Sequence, residues 1–153
     1  MNKAYEYRIY PTADQVSIFN KTLGLCRLYY NLVVENKNKD HAMPIEGYKP
    51  TFTKSKPEAL ERIKEVDSKP IGQIWKDVRG AYTNFSSSIK GKHKSKTVHP
   101  PKFKNKKNPK ASFRYDLQDI YATISSKGLY ISRRLGYIPI QASSQFCKGK
   151  WTS

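Results

Sequence analysis

A lysine-rich segment divides this sequence into two parts with different hydrophobic patterns. Between Ile89 and Lys110 there are nine lysines and no acidic residue. Pro100, Pro101 and Pro109 exclude a continuous helix there, because proline lacks an amide hydrogen and clashes with the preceding turn. Apolar residues mostly recur at helical spacing before this segment and alternate after it. The sequence therefore predicts an α+β protein with a solvated basic loop between its helices and most of its strands.

The first predicted helix begins at a capping box. The Thr12 hydroxyl can accept a hydrogen bond from the Gln15 amide, and the Gln15 side chain can accept one from the Thr12 amide. An apolar stripe then extends the helix to about Lys37. Its members are Val16, Phe19, Leu23, Cys26, Tyr30 and Val33. Gly24 costs about 1 kcal/mol relative to alanine inside a helix, so we expect another element to cross closely there.

Two more helices are expected before the lysine-rich segment. Ser55 with Glu58 forms a second capping box and opens a short helix. Its apolar positions are Leu60, Ile63 and Val66. Ser68 is expected to cap the third helix, whose first turn tolerates Pro70 because the missing amide hydrogen does no harm there. The buried stripe of this helix is predicted at Ile71, Ile74, Trp75, Val78, Tyr82, Phe85 and Ile89.

Short strands are predicted at both ends of the chain. Residues 4–10 alternate in strand fashion until Pro11 ends the strand. The later strands are expected at Ser112–Tyr115, Tyr121–Ser125, Leu129–Ser132 and Tyr137–Gln141. Residues 126–128 predict a hairpin turn between the middle pair. No acidic residue follows Asp119, so we expect this sheet to be basic.

The charge of the chain favours a polyanionic partner. There are 29 lysines and arginines against 12 aspartates and glutamates, a formal net charge of +17. Nucleic acid fits best, because each phosphate that a cation neutralises releases condensed counterions. An anionic membrane surface is the weaker alternative, because no stretch approaches a membrane span and the N-terminus lacks the apolar core of a signal peptide. Two cysteines are too few for a four-ligand zinc site and fit a reduced cytosolic compartment.

No arrangement of residues in the sequence indicates catalysis. A two-metal nuclease needs three or more converging carboxylates. Glu58, Glu61 and Glu65 have the spacing of one solvated helix face instead. The three histidines stand apart, and there is no glycine loop that would bind the phosphates of a nucleotide. We therefore expect neither a catalytic centre nor a cofactor or metal.

Basic and aromatic residues are interleaved along the chain. Arg8 lies between Tyr7 and Tyr10, and Arg27 is followed by Tyr29 and Tyr30. Aromatic rings stack on bases while neighbouring cations bind phosphates. The pattern is typical of nucleic-acid-binding surfaces, although packing in the core is the alternative role for each ring.

A series of short motifs is more specific than these runs. The series begins with Tyr7-Arg8-Ile9-Tyr10-Pro11-Thr12, Gln15, Phe19, Gly24, Cys26-Arg27 and Tyr30-Asn31. It continues through Val66-Asp67-Ser68, Ala81-Tyr82, Phe85, Pro101-Lys102-Phe103-Lys104, Ser112-Phe113-Arg114-Tyr115 and Leu135-Gly136-Tyr137-Ile138-Pro139-Ile140. In order and spacing these motifs resemble the N-terminal part of the TnpB (OrfB) family of insertion-sequence proteins, often described as a helix-turn-helix domain. The resemblance extends over nearly all of residues 4–142.

The resemblance implies a fold and a division of the chain. Full-length members of the family are RNA-guided DNA nucleases that begin with an oligonucleotide-binding-like wedge β-barrel carrying a helical recognition insert. By this likeness residues 1–10 form the first wedge strand and 11–89 the three-helix recognition region. Residues 90–110 form the basic loop, and 111–153 form the remaining, truncated wedge strands. The family's RuvC-like nuclease domain and four-cysteine zinc finger follow later, so we expect no enzymatic activity of this chain.

The resemblance also implies partners and candidate binding residues. The chain is expected to bind guide RNA and double-stranded DNA in the prokaryotic cytosol, at the nucleoid, and a missing nuclease half is a further candidate partner. The alternative is a non-functional, partly disordered remnant of a truncated transposase gene. Gly72 departs from the glutamine that the family has near its motif-reading position, and Gln73 is the candidate substitute. The candidate nucleic-acid-binding residues are Arg8, Arg27, Tyr48, Lys69, Gln73, Lys76, Lys90, Lys92, Lys94, Lys102, Lys104, Lys106, Lys107, Ser112, Arg114 and Tyr115.

Overall fold

The computed structural model describes residues 6–42, 44–48, 57–91, 97–107, 111–115 and 124–141. Its helices are α1 (Ala13–Lys39), α2 (Leu60–Lys64) and α3 (Ser68–Ile89), with 3-10 turns at Ile45–Tyr48 and Pro57–Ala59. Its strands are β1 (Ile124–Ser125), β2 (Gly128–Ser132) and β3 (Gly136–Ile138). The predicted α+β class is confirmed. Contacts divide the chain into a terminal unit, Met1–Ser17 with Leu117–Ser153, and a helical unit, Ile18–Asp116.

The capping box at the start of α1 is confirmed. The Thr12 amide donates to Gln15 Oε1 at 2.9 Å, and the Gln15 amide donates to Thr12 Oγ1 at 3.4 Å. These bonds satisfy amides that have no partner within the first turn of a helix. The Gln15 side chain also donates from Nε2 to the carbonyl oxygens of Leu135, at 2.7 Å, and Tyr137, at 2.9 Å. One buried glutamine thus caps α1 and also holds both β3 and the turn that precedes it.

The terminal unit contains a three-stranded antiparallel sheet in the order β1-β2-β3. Ser125 pairs with Gly128 across the turn, so the predicted hairpin is confirmed. Gly128 has a φ of 115°, and a Cβ at this position would overlap the carbonyl oxygen of Ile138. Both the dihedral and the close approach require glycine here. Ile138, which pairs with Leu129 across β2 and β3, is fully buried.

Among the described residues, the N-terminal segment joins this unit through a single bridge, whereas the sequence predicts a full strand over residues 4–10. Ile9 pairs with Ile140 in antiparallel fashion. Two backbone hydrogen bonds flank the pair, from the Tyr10 amide to Pro139 O at 2.8 Å and from the Gln141 amide to Arg8 O at 3.1 Å. Residues 4 and 5 and residues 121–123 of the predicted strands lie outside the described residues.

The helical unit is built on a core that α1 and α3 share. Its buried members from α1 are Leu25, Cys26, Tyr29, Tyr30, Val33 and Val34, and those from α3 are Ile71, Ile74, Val78 and Tyr82. Three of the six predicted members of the α1 stripe, Cys26, Tyr30 and Val33, and most members of the α3 stripe are therefore confirmed. The prediction that Val16 and Ile89 are buried is wrong, since these residues are 41% and 71% exposed near the start of α1 and at the end of α3. The expectation at Gly24 is also wrong, because no described atom of another element lies within 4 Å of the position of a Cβ there.

The start of α3 differs from the prediction. Its N-cap is Asp67, with extended φ and ψ of −77° and 139°, and Ser68 is the first helical residue. The Asp67 side chain makes no capping bond, and its Oδ2 accepts a hydrogen bond from the Tyr115 hydroxyl at 2.9 Å. Pro70 lies in the first turn as expected. The short helix α2 is confirmed, whereas Ser55 of its predicted capping box lies outside the described residues.

The strand predicted at Ser112–Tyr115 is wrong. Residues 111–115 form neither helix nor strand. The Phe113 ring lies 5.8 Å from that of Phe19 on α1 and 5.8 Å from that of Tyr115. Contacts with the helices thus replace the pairing that a neighbouring strand would provide. Within the described ranges no helix is long and apolar enough to cross a membrane.

Candidate nucleic-acid interface

A basic segment runs along the helical unit without helix or strand of its own. We call residues 97–107 and 111–115 the basic strap. Near its start the Val98 amide donates to Ser88 Oγ of α3 at 3.0 Å. Its cationic side chains are all exposed; they are Lys102, Lys104, Lys106, Lys107 and Arg114. The strap thus presents several cations on a segment that is attached to the helices.

The middle of the strap is held by Asn31 of α1. Asn31 Nδ2 donates to the Lys104 carbonyl oxygen at 2.9 Å, and the Lys104 amide donates to Asn31 Oδ1 at 2.8 Å. Lys104 Nζ lies 4.2 Å from the centre of the Tyr30 ring, within the range of a cation–π contact. Two consecutive residues of α1 therefore hold the backbone and the ammonium group of one lysine. We call this pair of hydrogen bonds the Asn31 clamp.

The C-terminal end of the strap is held by acidic residues at the start and in the middle of α3. Arg114 forms an exposed ion pair with Asp77. The Tyr115 hydroxyl donates to Asp67, and burial together with this bond raises the pKa of Tyr115 well above its usual value. The hydroxyl is therefore a proton donor at neutral pH. These contacts engage two of the predicted binding residues, and the Arg114 guanidinium is paired with a carboxylate.

Three of the predicted residues line one pocket between α1, α3 and the strap. They are Arg27, Lys104 and Ser112. Leu23, Cys26, Ile74, Asn105 and Ala111 complete the lining, and no carboxylate is among them. Burial raises the pKa of Cys26 to about 12, which Lys104 partly counteracts, so this thiol stays neutral at physiological pH. An arginine, a lysine and a serine therefore line this pocket together with several apolar residues.

The other predicted residues are more widely spread. Lys69, Gln73 and Lys76 follow one another at helical spacing along one side of α3; Lys69 and Gln73 are half-buried and Lys76 is exposed. Lys90 is exposed at the end of α3. Tyr48 ends a 3-10 turn. Lys92, Lys94 and the side chain of Tyr48 lie outside the described residues. Arg8 belongs to the terminal unit, where its guanidinium carbon lies 5.8 Å from the centre of the Tyr10 ring.

Comparison with known proteins matches the N-terminal residues to a family. Residues 1–43 match the family model of the OrfB proteins that is described as a helix-turn-helix domain. The resemblance to the N-terminal part of the TnpB family is confirmed. A protein of Streptomyces pristinaespiralis, provisionally named an RNA-guided DNA endonuclease, is 29% identical over 123 residues. The match covers 75% of this chain and 28% of that protein, so the chain spans a little over a quarter of the relative's length.

Two polar side chains of this TnpB-like segment have roles that the sequence does not reveal. Asn31 holds the strap and Gln15 holds the turn before β3, in addition to the capping role predicted for Gln15. The sequence offers one indication that Asn31 has a special role, namely its position in the Tyr30-Asn31 motif directly after a buried ring. Its partner lies 73 residues away, so local pattern could not identify it.

Metal-ligating residues are not clustered in the part of the chain that the structure describes. Over those ranges no group of three or more histidine, cysteine, aspartate or glutamate side chains could hold a metal ion.

Proposed function

We propose that this chain is the nucleic-acid-binding N-terminal fragment of a transposon-encoded, TnpB-like RNA-guided DNA endonuclease. It binds guide RNA and double-stranded DNA and has no catalytic centre of its own. The observation that carries the proposal is the pocket shared by Arg27, Lys104 and Ser112. Residues far apart in the sequence bring donors for phosphate oxygens to one place, beside a strap of exposed lysines.

The helical unit is the proposed contact surface for double-stranded DNA as well as RNA. A helix binds DNA by lying against the duplex, and phosphate contacts from flanking cations fix its register. Lys69, Gln73 and Lys76 give one side of α3 two cations and one amide. An amide can read base edges by hydrogen bonding, so Gln73 is the candidate for reading a short motif in the duplex.

The proposed domain organisation is a wedge barrel with a helical insert. The bridge between Ile9 and Ile140 supports it, because the chain leaves the terminal unit after α1 begins and returns to it after the strap. We propose that residues 1–10 and 111–153 belong to the wedge, that 11–89 are the recognition region, and that 90–110 are the basic loop between them. Residues 111–115 at the start of this wedge part lie against the helices and form no strand. Exposed Arg133 and Arg134 in the turn before β3 give the wedge part its own cations.

Nucleic-acid binding is tested by titrating the chain with duplex DNA and structured RNA at several salt concentrations. We expect the logarithm of affinity to fall steeply with the logarithm of salt, by about 0.9 for each duplex phosphate contacted. Lys104→Gln and Arg27→Gln should each reduce that slope by about 1. Lys64→Gln is the matched control, because Lys64 is an exposed lysine paired with Glu61 on α2. Weak binding that salt does not change, or equal losses in the control, would refute the proposal.

The proposed lack of a catalytic centre has a separate test. Purified chain is incubated with duplex and single-stranded DNA and Mg²⁺ or Mn²⁺, in the presence and absence of RNA. We expect no cleavage, because a two-metal mechanism needs converging carboxylates. Metal-dependent cleavage that disappears when one carboxylate is changed to its amide would overturn this part of the proposal.

A further inference from the structure

The Asn31 clamp fixes the orientation of the strap as well as its position. A side-chain amide carries both a donor and an acceptor, and here both are used on the same residue, Lys104. The pairing is like that between two backbone segments in a sheet. The peptide groups on both sides of Lys104 are therefore oriented by a residue on a long helix that is packed into the core.

The fixed backbone determines where the Lys104 side chain can reach. Its ammonium group lies over the Tyr30 ring, and burial keeps the pKa of the Tyr30 hydroxyl raised, so the ring is neutral. A cation–π contact at an exposed site is weak compared with a charged hydrogen bond. An arriving phosphate can therefore take the ammonium group from the ring without disturbing the strap.

Arg27 and Ser112 lie on the same pocket as Lys104. Arg27 is four residues before Asn31, so the two side chains leave α1 on the same side. A guanidinium, an ammonium and a hydroxyl match the oxygens of one phosphodiester group. The distance of Lys104 from Arg27 depends on the register of the strap, which the clamp sets.

We propose that Asn31 is a positioning residue that holds the strap in register, so that Arg27, Lys104 and Ser112 together bind one backbone phosphate. The proposal rests on the nucleic-acid binding proposed above. Asn31 itself does not touch the ligand. It acts by orienting Lys104 before binding, so less ordering is required when the phosphate arrives.

The test is a double-mutant cycle between Asn31 and Lys104. The affinity of each variant for the same duplex DNA and RNA is measured across a salt series, with Asn31→Ala, Lys104→Gln and the double variant. Asn31→Ala should weaken binding about tenfold, since two hydrogen bonds of ordinary net strength are lost. In that background Lys104→Gln should have less than about half its usual logarithmic effect, because the lysine is no longer positioned.

Hydrogen exchange and a second substitution separate positioning from general destabilisation. In Asn31→Ala the Lys104 amide should exchange faster, while Cys26 should remain unreactive towards thiol reagents if the core is intact. Asn31→Gln keeps the amide one methylene further out and should give an intermediate loss of affinity. Asn38→Ala is the matched control, an exposed asparagine of the same helix, and should leave affinity and exchange unchanged.

The possible outcomes distinguish this proposal from the proposed function. Additive effects of Asn31→Ala and Lys104→Gln would overturn the positioning role, as would unchanged affinity in a variant whose Lys104 amide exchanges faster. In both cases the parent chain would still bind with a steep salt dependence, so nucleic-acid binding would stand. Weak, salt-insensitive binding by the parent chain would instead refute the proposed function and this proposal with it.

Discussion

Gln15 joins the start of α1 to the turn before β3, and its replacement should destabilise the terminal unit. Gln15→Ala removes the capping contact to the Thr12 amide, which contributes about 1 kcal/mol. It also removes two hydrogen bonds to the carbonyl oxygens of Leu135 and Tyr137, each contributing about 1 kcal/mol net. The side chain is only 9% exposed, so water cannot readily replace it. We expect a total loss of about 3 kcal/mol.

Two further variants divide this loss between its causes. Thr12→Ala weakens only the cap and should cost about 1 kcal/mol. Gln15→Glu keeps the cap, since glutamate serves equally in a capping box, but loses both donors and faces two carbonyl oxygens with a carboxylate. It should cost about 2 kcal/mol or more. Urea unfolding gives the free energy of unfolding of each variant. Faster hydrogen exchange of residues 136–138 shows whether the loss of stability affects β3. If Gln15→Glu is as stable as the parent chain, the bonds to the turn contribute nothing and the reasoning is refuted.

Three more predictions concern the hairpin and the core. Gly128→Ala should cost at least about 2 kcal/mol and expose the hairpin amides to exchange, because the new methyl group meets Ile138 O at an unfavourable φ; unchanged exchange would contradict this. Burial raises the pKa of Cys26 from 9.0 to about 12, so its contribution to stability is present below pH 9 and is lost as the pH rises towards 12. The thermal midpoint of Cys26→Ala should accordingly decline less over that range than that of the parent chain. Val78→Ala should cost about 2 kcal/mol in urea unfolding, because Val78 is fully buried, whereas Ile89→Ala should change stability by less than about 0.5 kcal/mol. Similar losses for both substitutions would show that the core assignment is wrong.

Short-range interactions explain the parts of the fold that could be predicted. The capping box, the hairpin turn and the apolar stripes each depend on residues within a few positions of one another. The same reasoning was wrong at Ser112–Tyr115, because alternation shows only that every second side chain faces the same way. A segment lying extended on a pair of helices satisfies that pattern as well as a strand does, as Phe113 does against Phe19.

The candidate site could be predicted residue by residue but not as an arrangement. Arg27 and Ser112 were each expected to contact nucleic acid, yet their common pocket depends on the register of the strap. That register is set by Asn31 across 73 residues of sequence. Long-range contacts of this kind follow from the packing of α1 against α3, which no local periodicity specifies. The same limit applies to Asp67, whose partner Tyr115 is equally invisible from the sequence around α3.

The bridge between Ile9 and Ile140 also has a consequence for synthesis on the ribosome. The helical unit closes within Ile18–Asp116, so its contacts can form while later residues are still being added. Ile9 must wait for Ile140, which is made 131 residues later. A nascent chain would therefore display its finished basic strap before the N-terminal segment has found its partner. Nucleic acid near the ribosome could bind the strap before the terminal unit has folded.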